Sequence, residues 1–350
     1  MRWYTIKFTD NRPGPPNPEI PLVYSSIDQY GNYNPGALEI HFDIVNAVGH
    51  LIGKSSHLRI HNVPLRICQL ALNYQGMDVT IYAGFKSGPT SGFKLAKQKQ
   101  SGVIGFGRVQ ACIPNYVGTN LVMDFIIIPT YTGSPDLDVP ARFDSTPTKP
   151  YNFEWNANTD FMEALKVTFS RMNIKVTGSV DSRVLNNTNR PITLMNSTYY
   201  QFSSFINNKT RNIVNQPLPT EKQDYDGVEM TFVSPDTVFI SDNTGGRDTV
   251  QLQIDEFIGQ PSIFTPYGLQ IQSIHPLRSD ILVSGYVKYP KITAQVGMLP
   301  VAGTQTKPLT GSEKKLKVNQ VRHMGSFRDS SPQGWATYVI AGSVLDPIEA

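Results

Sequence analysis

The chain has 350 residues, of which 39% are hydrophobic and 17% charged, and its net charge is +3 at pH 7. A low charge density with so small a net charge excludes a disordered chain, and this length buries a sizeable core without disulfides or metal. Divided after residues 145 and 245, the chain carries net charges of +2, −1 and +2, so no third has the concentrated basic face typical of nucleic-acid binding.

The first third is predicted to begin with an arm and to continue as strands. Five prolines between Pro13 and Pro21 stiffen the arm and remove backbone donors. Asn62 is predicted to cap a short helix that holds Cys68 on its apolar side. Alternation of apolar and polar residues predicts strands over residues 38–44, 57–61, 77–84, 103–113 and 121–128.

A boundary is predicted at Pro129–Pro150, where Pro, Asp, Thr and Ser accumulate. A helix follows over 158–172, capped by Thr159 or Asn158, and a second short helix is expected around residues 202–206. The last third alternates again, first at Val250, Leu252 and Ile254 and finally over residues 335–344. We therefore expect a β-rich α+β protein in three parts: residues 1–145, 146–245 and 246–350.

Two glycine-containing segments resemble phosphate-binding loops and are rejected as such. Gly49–Ser55 ends in Gly-Lys-Ser, but Val48 stands where such a loop needs glycine, and a strand follows instead of a helix. Gly102–Gly107 lacks the order and the following helix of a dinucleotide-binding turn. Glycines within a strand more often mark a bulge or a close approach of backbones, which is our expectation here.

The residues that could carry metal or acid–base chemistry have simpler explanations. His57 and His61 share a strand face with Arg59, whose charge opposes a bound cation, so a solvated strand face is predicted. The cluster of Glu154, Asp160 and Glu163 suits the positive end of the predicted helix. Cys68 is expected to be a small core residue. We predict no catalytic, cofactor-binding or metal-binding residue, and hence no enzyme.

Two small lysine runs are predicted to lie in solvated loops, and contacts to a neighbouring subunit remain the alternative. The runs consist of Lys94, Lys97 and Lys99, and of Lys314, Lys315 and Lys317. No membrane span is expected, because the longest apolar stretch is short and contains Asp124. No secretory signal is expected either, because Met1–Tyr4 leads into polar residues and prolines. Two cysteines suggest synthesis in a reducing compartment.

Several segments, in this order along nearly the whole chain, resemble the tail hub (baseplate hub) proteins of tailed bacteriophages, chiefly the contractile ones. They share an Asn-hydrophobe pair entering a short helix, an Ala-Gly-aromatic strand end, a Gly-Gln-Pro turn, a His-Pro step and a closing hairpin. The chain departs from the family at Leu277–Asp280, where a longer acidic or Gly-Asp step is usual. The matching segments are residues 38–44, 57–65, 79–85, 257–262, 274–277, 321–326 and 334–338.

This resemblance implies two tail-tube-like β-barrel domains that flank an inserted α+β domain. It further implies a homotrimeric ring that adapts the sixfold tail tube to the threefold central spike and lines the DNA ejection channel. The implied partners are other copies of the chain, a tail tube or distal tube protein, the spike and other baseplate proteins. Genomic DNA would pass without specific binding, and no cofactor is implied. The protein would be made in the host cytoplasm and reside in the virion baseplate.

A second function stays open at this stage. Turn-rich β structure with abundant tyrosine also suits a tail-associated virion protein that binds carbohydrate or degrades cell wall.

Overall fold

The computed structural model describes residues 1–10, 17–47, 55–86, 100–128, 151–157, 159–185, 191–196, 199–217, 225–234, 236–242, 249–264, 270–290, 293–296, 305–308 and 315–342. The predicted boundary at Pro129–Pro150 and the segment Val48–Lys54 lie outside these ranges. Among the described residues, no helix is long and apolar enough to cross a membrane.

The strands predicted for the first third are confirmed, with shifted ends. Their alternating side chains bury one face, as Ile40, Phe42 and Ile44 do in the strand that follows Leu38. The elements are β1 (Arg2–Thr9), β2 (Val23–Ser25), β3 (Ile40–Ala47), β4 (Ser56–His61), α1 (Leu65–Gln69), β5 (Asp78–Phe85), β6 (Ser101–Val117) and β7 (Asn120–Ile128).

The N-terminal arm and the first helix cap need correction. Residues 2–9, expected to belong to the arm, form β1, which pairs with β5 along its whole length because Tyr4, Ile6 and Phe8 alternate into the core. Helix α1 begins after Pro64 without a side-chain cap. Asn62 is therefore not the cap; it takes a left-handed conformation with φ of 57°.

The middle third mixes helices and strands around its own aromatic core. Helix α2 is capped by Asp160, whose side chain accepts a hydrogen bond from the backbone N–H of Glu163, and not by Thr159. The other predicted cap, Asn158, lies outside the described residues. The second helix, expected to be short and to lie around residues 202–206, is the 17-residue helix α4. The elements are β8 (Tyr151–Trp155), α2 (Phe161–Ser170), β9 (Lys175–Gly178), α3 (Ser182–Leu185), β10 (Ile192–Asn196), α4 (Tyr199–Asn215), β11 (Glu229–Ser234) and β12 (Thr237–Ser241).

The last third is again built of strands. The alternation predicted through Ile254 fails there, because residues 254–256 turn into a short 3-10 helix in which Glu256 is buried. The strands are β13 (Thr249–Gln251), β14 (Ser262–Phe264), β15 (Gln270–Pro276), β16 (Tyr286–Lys288), β17 (Thr293–Val296), β18 (Gln305–Pro308), β19 (Leu316–Ser326) and β20 (Trp335–Gly342).

The first and last thirds share one sheet of 15 strands, ordered β18-β17-β14-β15-β20-β19-β3-β4-β7-β6-β5-β1-β2, with β16 beside β19 and β13 beside β16. The two thirds meet where β3 and β19 pair antiparallel. Leu277 and Trp335 of the last third also join the core of the first. The β-rich α+β class is confirmed. Among the described strands the sheet stays open, ending at β2 and β18, and no closed barrel forms.

Candidate functional site

The two outer thirds of the chain together form one extended surface, the polar side of their shared sheet. Residues directly opposite each other in paired strands lie on the same side of a sheet. His41 opposes Arg59, and Arg59 opposes Asp124, so this side runs from β3 through β4 to β7. We call it the polar face. Its charged side chains on β19, β3, β4, β7, β6 and β5 are Arg322, His41, Asp43, His57, Arg59, His61, Asp124, Arg108 and Asp78.

Two arginines of the polar face form bidentate ion pairs with aspartates of neighbouring strands. Arg59 Nε lies 2.5 Å from Asp124 Oδ1, and its Nη2 lies 3.1 Å from Oδ2. Arg322 Nε and Nη2 lie 2.6 and 2.5 Å from the two carboxylate oxygens of Asp43. These hydrogen bonds raise the pKa of both guanidinium groups. Each pair therefore presents a neutral, fixed unit to solvent.

A third pair continues the pattern at the other end of the face. Arg108 of β6 lies directly opposite Asp78 of β5, and its Nε is 3.2 Å from Asp78 Oδ1. Beyond it, Lys7 of β1 stands over the ring of Tyr82, with Nζ 5.3 Å from the ring centroid. The guanidinium groups on this face are thus all held by carboxylates in the part of the chain that the structure describes.

The histidines of the polar face do not build a metal site. His57, Arg59 and His61 share one side of β4, as predicted. The structure adds His41, whose ring centroid lies 4.5 Å from that of His61 and whose Nε2 lies 3.3 Å from Glu39. Burial, and then His41 and Arg59, lower the pKa of His61. Within the described ranges, no group of three or more His, Cys, Asp and Glu residues could hold a metal ion.

The acidic cluster around α2 serves the helix. Asp160 is its cap, and Glu163 lies in the first turn with its carboxylate 2.5 Å from Lys166 Nζ. Glu154 is exposed on β8. Asp160 and Glu163 therefore lie at the positive end of the helix, as expected, whereas Glu154 belongs to the preceding strand.

The cysteines and the strand glycines behave as core residues. Cys68 and Cys112 are free and buried, and burial raises the pKa of both thiols. Gly107 allows the close approach of backbones predicted for the glycine run, because a Cβ there would come within 2.2 Å of the Ile128 carbonyl oxygen.

Lys317 does not lie in a solvated loop, which corrects the expectation for the second lysine run. It is buried on β19, and its Nζ lies 2.8 Å from Glu229 Oε2 of β11. Nearby, the hydroxyl groups of Thr231 and Ser284 lie 3.0 Å apart and are buried. These contacts fix the middle third to the last one. Lys315 is exposed, and Lys94, Lys97, Lys99 and Lys314 lie outside the described residues.

A buried charged cluster in the last third was not predicted. Arg278, 1% exposed, lies 2.6 Å from Glu256 and 2.6 Å from Asp280. The short spacing of Arg278 and Asp280 in the sequence indicates that these two could form an ion pair. Nothing in the sequence links them to Glu256, which lies 22 residues before Arg278 in the 3-10 helix. Since the guanidinium is enclosed, it has no access to a ligand, and the cluster ties the turn after β15 to the 3-10 helix.

Two buried histidines flank this cluster. His275 Nδ1 donates a hydrogen bond to the Glu256 carbonyl oxygen at 3.0 Å, and its Nε2 accepts one from Ser273 Oγ at 2.8 Å. Burial lowers the pKa of His275 to about 4 and that of His323 to about 3. Both are therefore neutral at pH 7. A hydrogen-bonded serine and histidine, such as Ser273 and His275, could in principle be a nucleophile and its base. Each is at most 1% exposed, so a substrate has no access to them.

Comparison with known proteins gives a likeness in fold. No family model matches the chain, and no curated protein matches it. The 43 kDa tail protein of prophage MuSo2 from Shewanella oneidensis superposes with a TM-score of 0.50 at 9% identity, over 98% of this chain and 97% of that one. A tail protein from Neisseria meningitidis MC58 gives a TM-score of 0.47 at 8% identity, over 97% and 96%. The chain thus shares the overall fold of the prophage protein along nearly its entire length.

Proposed function

We propose that this chain is a structural protein of a bacteriophage tail and acts as its hub. The observation that carries the proposal is the fold shared with the 43 kDa prophage tail protein, which covers 98% of this chain and 97% of that one. The hub-like sequence segments follow the same order along the chain. The role is non-enzymatic, because function would reside in ring geometry and subunit contacts.

The open sheet supports ring formation. A sheet with unpaired edge strands offers backbone donors and acceptors to another chain. Here the edges differ, with β2 at one end and β18 at the other, so contacts between copies would be head-to-tail. Head-to-tail contacts give a closed ring when the rotation permits it. We infer that three copies form this ring in the virion.

The arrangement of cores supports an inserted middle domain. One core cluster is made of residues between Tyr151 and Ile240 alone. The proposal keeps the division at 1–145, 146–245 and 246–350, with the outer two as tube-like barrel units completed in the assembled ring. Two such units per chain give six positions from three chains, which suits the junction of a sixfold tube with a threefold spike.

The proposed partners follow from that position. One face of the ring would stack on the tail tube or distal tube protein, and the other would hold the central spike, with further baseplate proteins outside. The polar face would line the passage through which genomic DNA leaves. A face without a free arginine suits a passage better than a binding groove.

Quantitative mass spectrometry of purified virions tests the proposal. With the tube protein and the spike as internal standards, we expect three copies of this chain per particle and its release together with the baseplate fraction. Six copies per particle, or recovery with heads and not tails, would contradict the hub assignment.

A further inference from the structure

The three arginines of the polar face share one feature, since a carboxylate from a neighbouring strand holds each of them. The partners are Asp43, Asp124 and Asp78, each aspartate lying on the strand next to that of its arginine. Two of them are surface pairs, since the side chains of Arg322 and Arg59 are 39% and 42% exposed, whereas Asp78, the partner of Arg108, is 9% exposed. Exposed pairs of this kind contribute little to folding stability. Their repetition along one face therefore calls for a different explanation.

We propose that these cross-strand pairs keep the polar face from binding duplex DNA, so that DNA slides past it. The inference rests on the proposed function, because it concerns the DNA that would pass through the ring. Arginine binds phosphate through the same planar fork of N–H donors that it offers to a carboxylate. When Asp43 or Asp124 occupies that fork in a bidentate pair, the pair has no net charge, and the paired donors of the guanidinium are not free to bind a phosphate.

The side chains between the pairs support the same inference. Ile126 and Ile128 of β7 and Met324 of β19 lie partly exposed on this face, and they offer no donor to a phosphate oxygen. Lys7 of β1, the strand next to the edge strand β2, stacks on Tyr82. Non-specific DNA affinity comes from phosphates neutralised by Lys and Arg. In the described part of the face the arginines that could serve such binding are therefore neutralised by carboxylates, whereas the contact of Lys7 with a neutral ring does not neutralise it.

The test removes the carboxylates and leaves the arginines. Asp43→Asn and Asp124→Asn, singly and together, keep the shape of each side chain and free one guanidinium apiece. The matched control is Glu154→Gln with Asp255→Asn, which changes the net charge by the same amount at two exposed carboxylates outside the polar face. Binding of a short random-sequence duplex to the full-length chain is measured by fluorescence anisotropy across a salt series, and circular dichroism checks folding.

We expect the wild-type chain and the control to bind the duplex equally weakly. The double Asn variant should bind more than about tenfold tighter at low salt, and the slope of log K against log salt should steepen by about 1.8 for two freed arginines. Each single variant should show a smaller gain in DNA affinity. The inference can therefore be tested even if only one of the Asn variants folds. Adding Arg59→Gln and Arg322→Gln to the double variant should return binding to the wild-type level, which a purely structural role of the pairs would not do.

Two results would overturn the inference: wild-type binding as tight as that of the double Asn variant, or an equal gain in the charge-matched control. This measurement uses the isolated chain and does not depend on copy number in the virion. A failure here, with three copies found per tail, would remove the inference and leave the hub proposal. The reverse combination would remove the hub proposal alone.

Discussion

Arg322 and Asp43 form a bidentate ion pair although 279 residues separate them in sequence. Arg322 lies on β19 and Asp43 on β3, the two strands at which the first and last thirds of the chain meet. The pair lies where the antiparallel register joins them, so the last third completes a sheet begun by the first. The polar face exists because of this junction, since it extends across strands from both thirds.

Replacing Arg278 by Met should lower the free energy of unfolding by about 3–5 kcal/mol. The substitution removes the cation and leaves the carboxylate of Glu256, which is 5% exposed, without its ion-pair partner. Chemical denaturation at pH 7 gives the difference.

The matched control for that experiment is Arg66→Met. Arg66 pairs with Glu19, but both side chains are largely in solvent, at 70% and 47% exposure. An exposed pair is worth about 0–1 kcal/mol, so the control should lose no more than that. Equal losses in the two variants would show that the Arg278 cluster is not the buried support described above.

Acid should destabilise the fold between pH 6.5 and about 4 through His275, whose pKa burial lowers to about 4 from 6.5. In that range the unfolded chain binds a proton that the folded chain does not, so stability is full above pH 6.5 and falls as the pH drops. The shift corresponds to about 3 kcal/mol at most. Urea unfolding at pH 7 and pH 5 measures the difference.

His275→Gln should weaken this dependence on pH but not abolish it, because His323, whose pKa burial lowers to about 3, also binds a proton in the unfolded chain below pH 6.5. His57→Gln, which removes an exposed imidazole, is the control and should leave the dependence as it is in the wild-type chain. If the two variants lost the same amount of stability between pH 7 and pH 5, His275 would not be the group responsible.

Residues 146–245 expressed alone should fold cooperatively, because their aromatic core contains no residue from outside this segment. The buried contact of Glu229 with Lys317 would be lost, but in the fragment the carboxylate becomes solvated. Thermal unfolding followed by circular dichroism is the measurement. A fragment with helix content but no cooperative transition would mean that the middle third needs the shared sheet to fold.

The purified chain should show no hydrolysis of peptidoglycan or capsule and no stoichiometric zinc. Asp160 and Glu163 are engaged in capping and in an ion pair, which leaves Glu154 without a second carboxylate facing it among the described residues. Turnover that disappears on changing any of the three to its amide would reinstate the tail-associated hydrolase. Metal analysis and a sugar-release assay decide the point.

Much of the local structure could be predicted from the sequence. Alternation of residues such as Ile40, Phe42 and Ile44 fixes which side of a strand is buried, and the apolar spacing of Phe161, Leu165 and Phe169 fixes a helix face. The missed strand β1 had the same sign, with Tyr4, Ile6 and Phe8 alternating. The prolines that follow it are typical of an arm and not of a strand.

The pairing of distant strands could not be predicted, and neither could the polar face that depends on it. Alternation gives the face of each strand but not its neighbour, so nothing in the sequence pairs Asp43 with Arg322. The same limit applies to burial of charge. Lys317 belongs to a lysine run typical of a loop, and it is buried because Glu229 from the middle third meets it.

The central claim, a homotrimeric hub on the tail axis, is tested most directly by a reconstruction of the intact virion tail by electron cryomicroscopy without imposed sixfold symmetry. We predict three copies of this chain in one ring between tube and spike, with Arg59, Arg322 and their aspartates facing the central passage. Six equivalent copies, or a position away from the tail axis, would contradict the account.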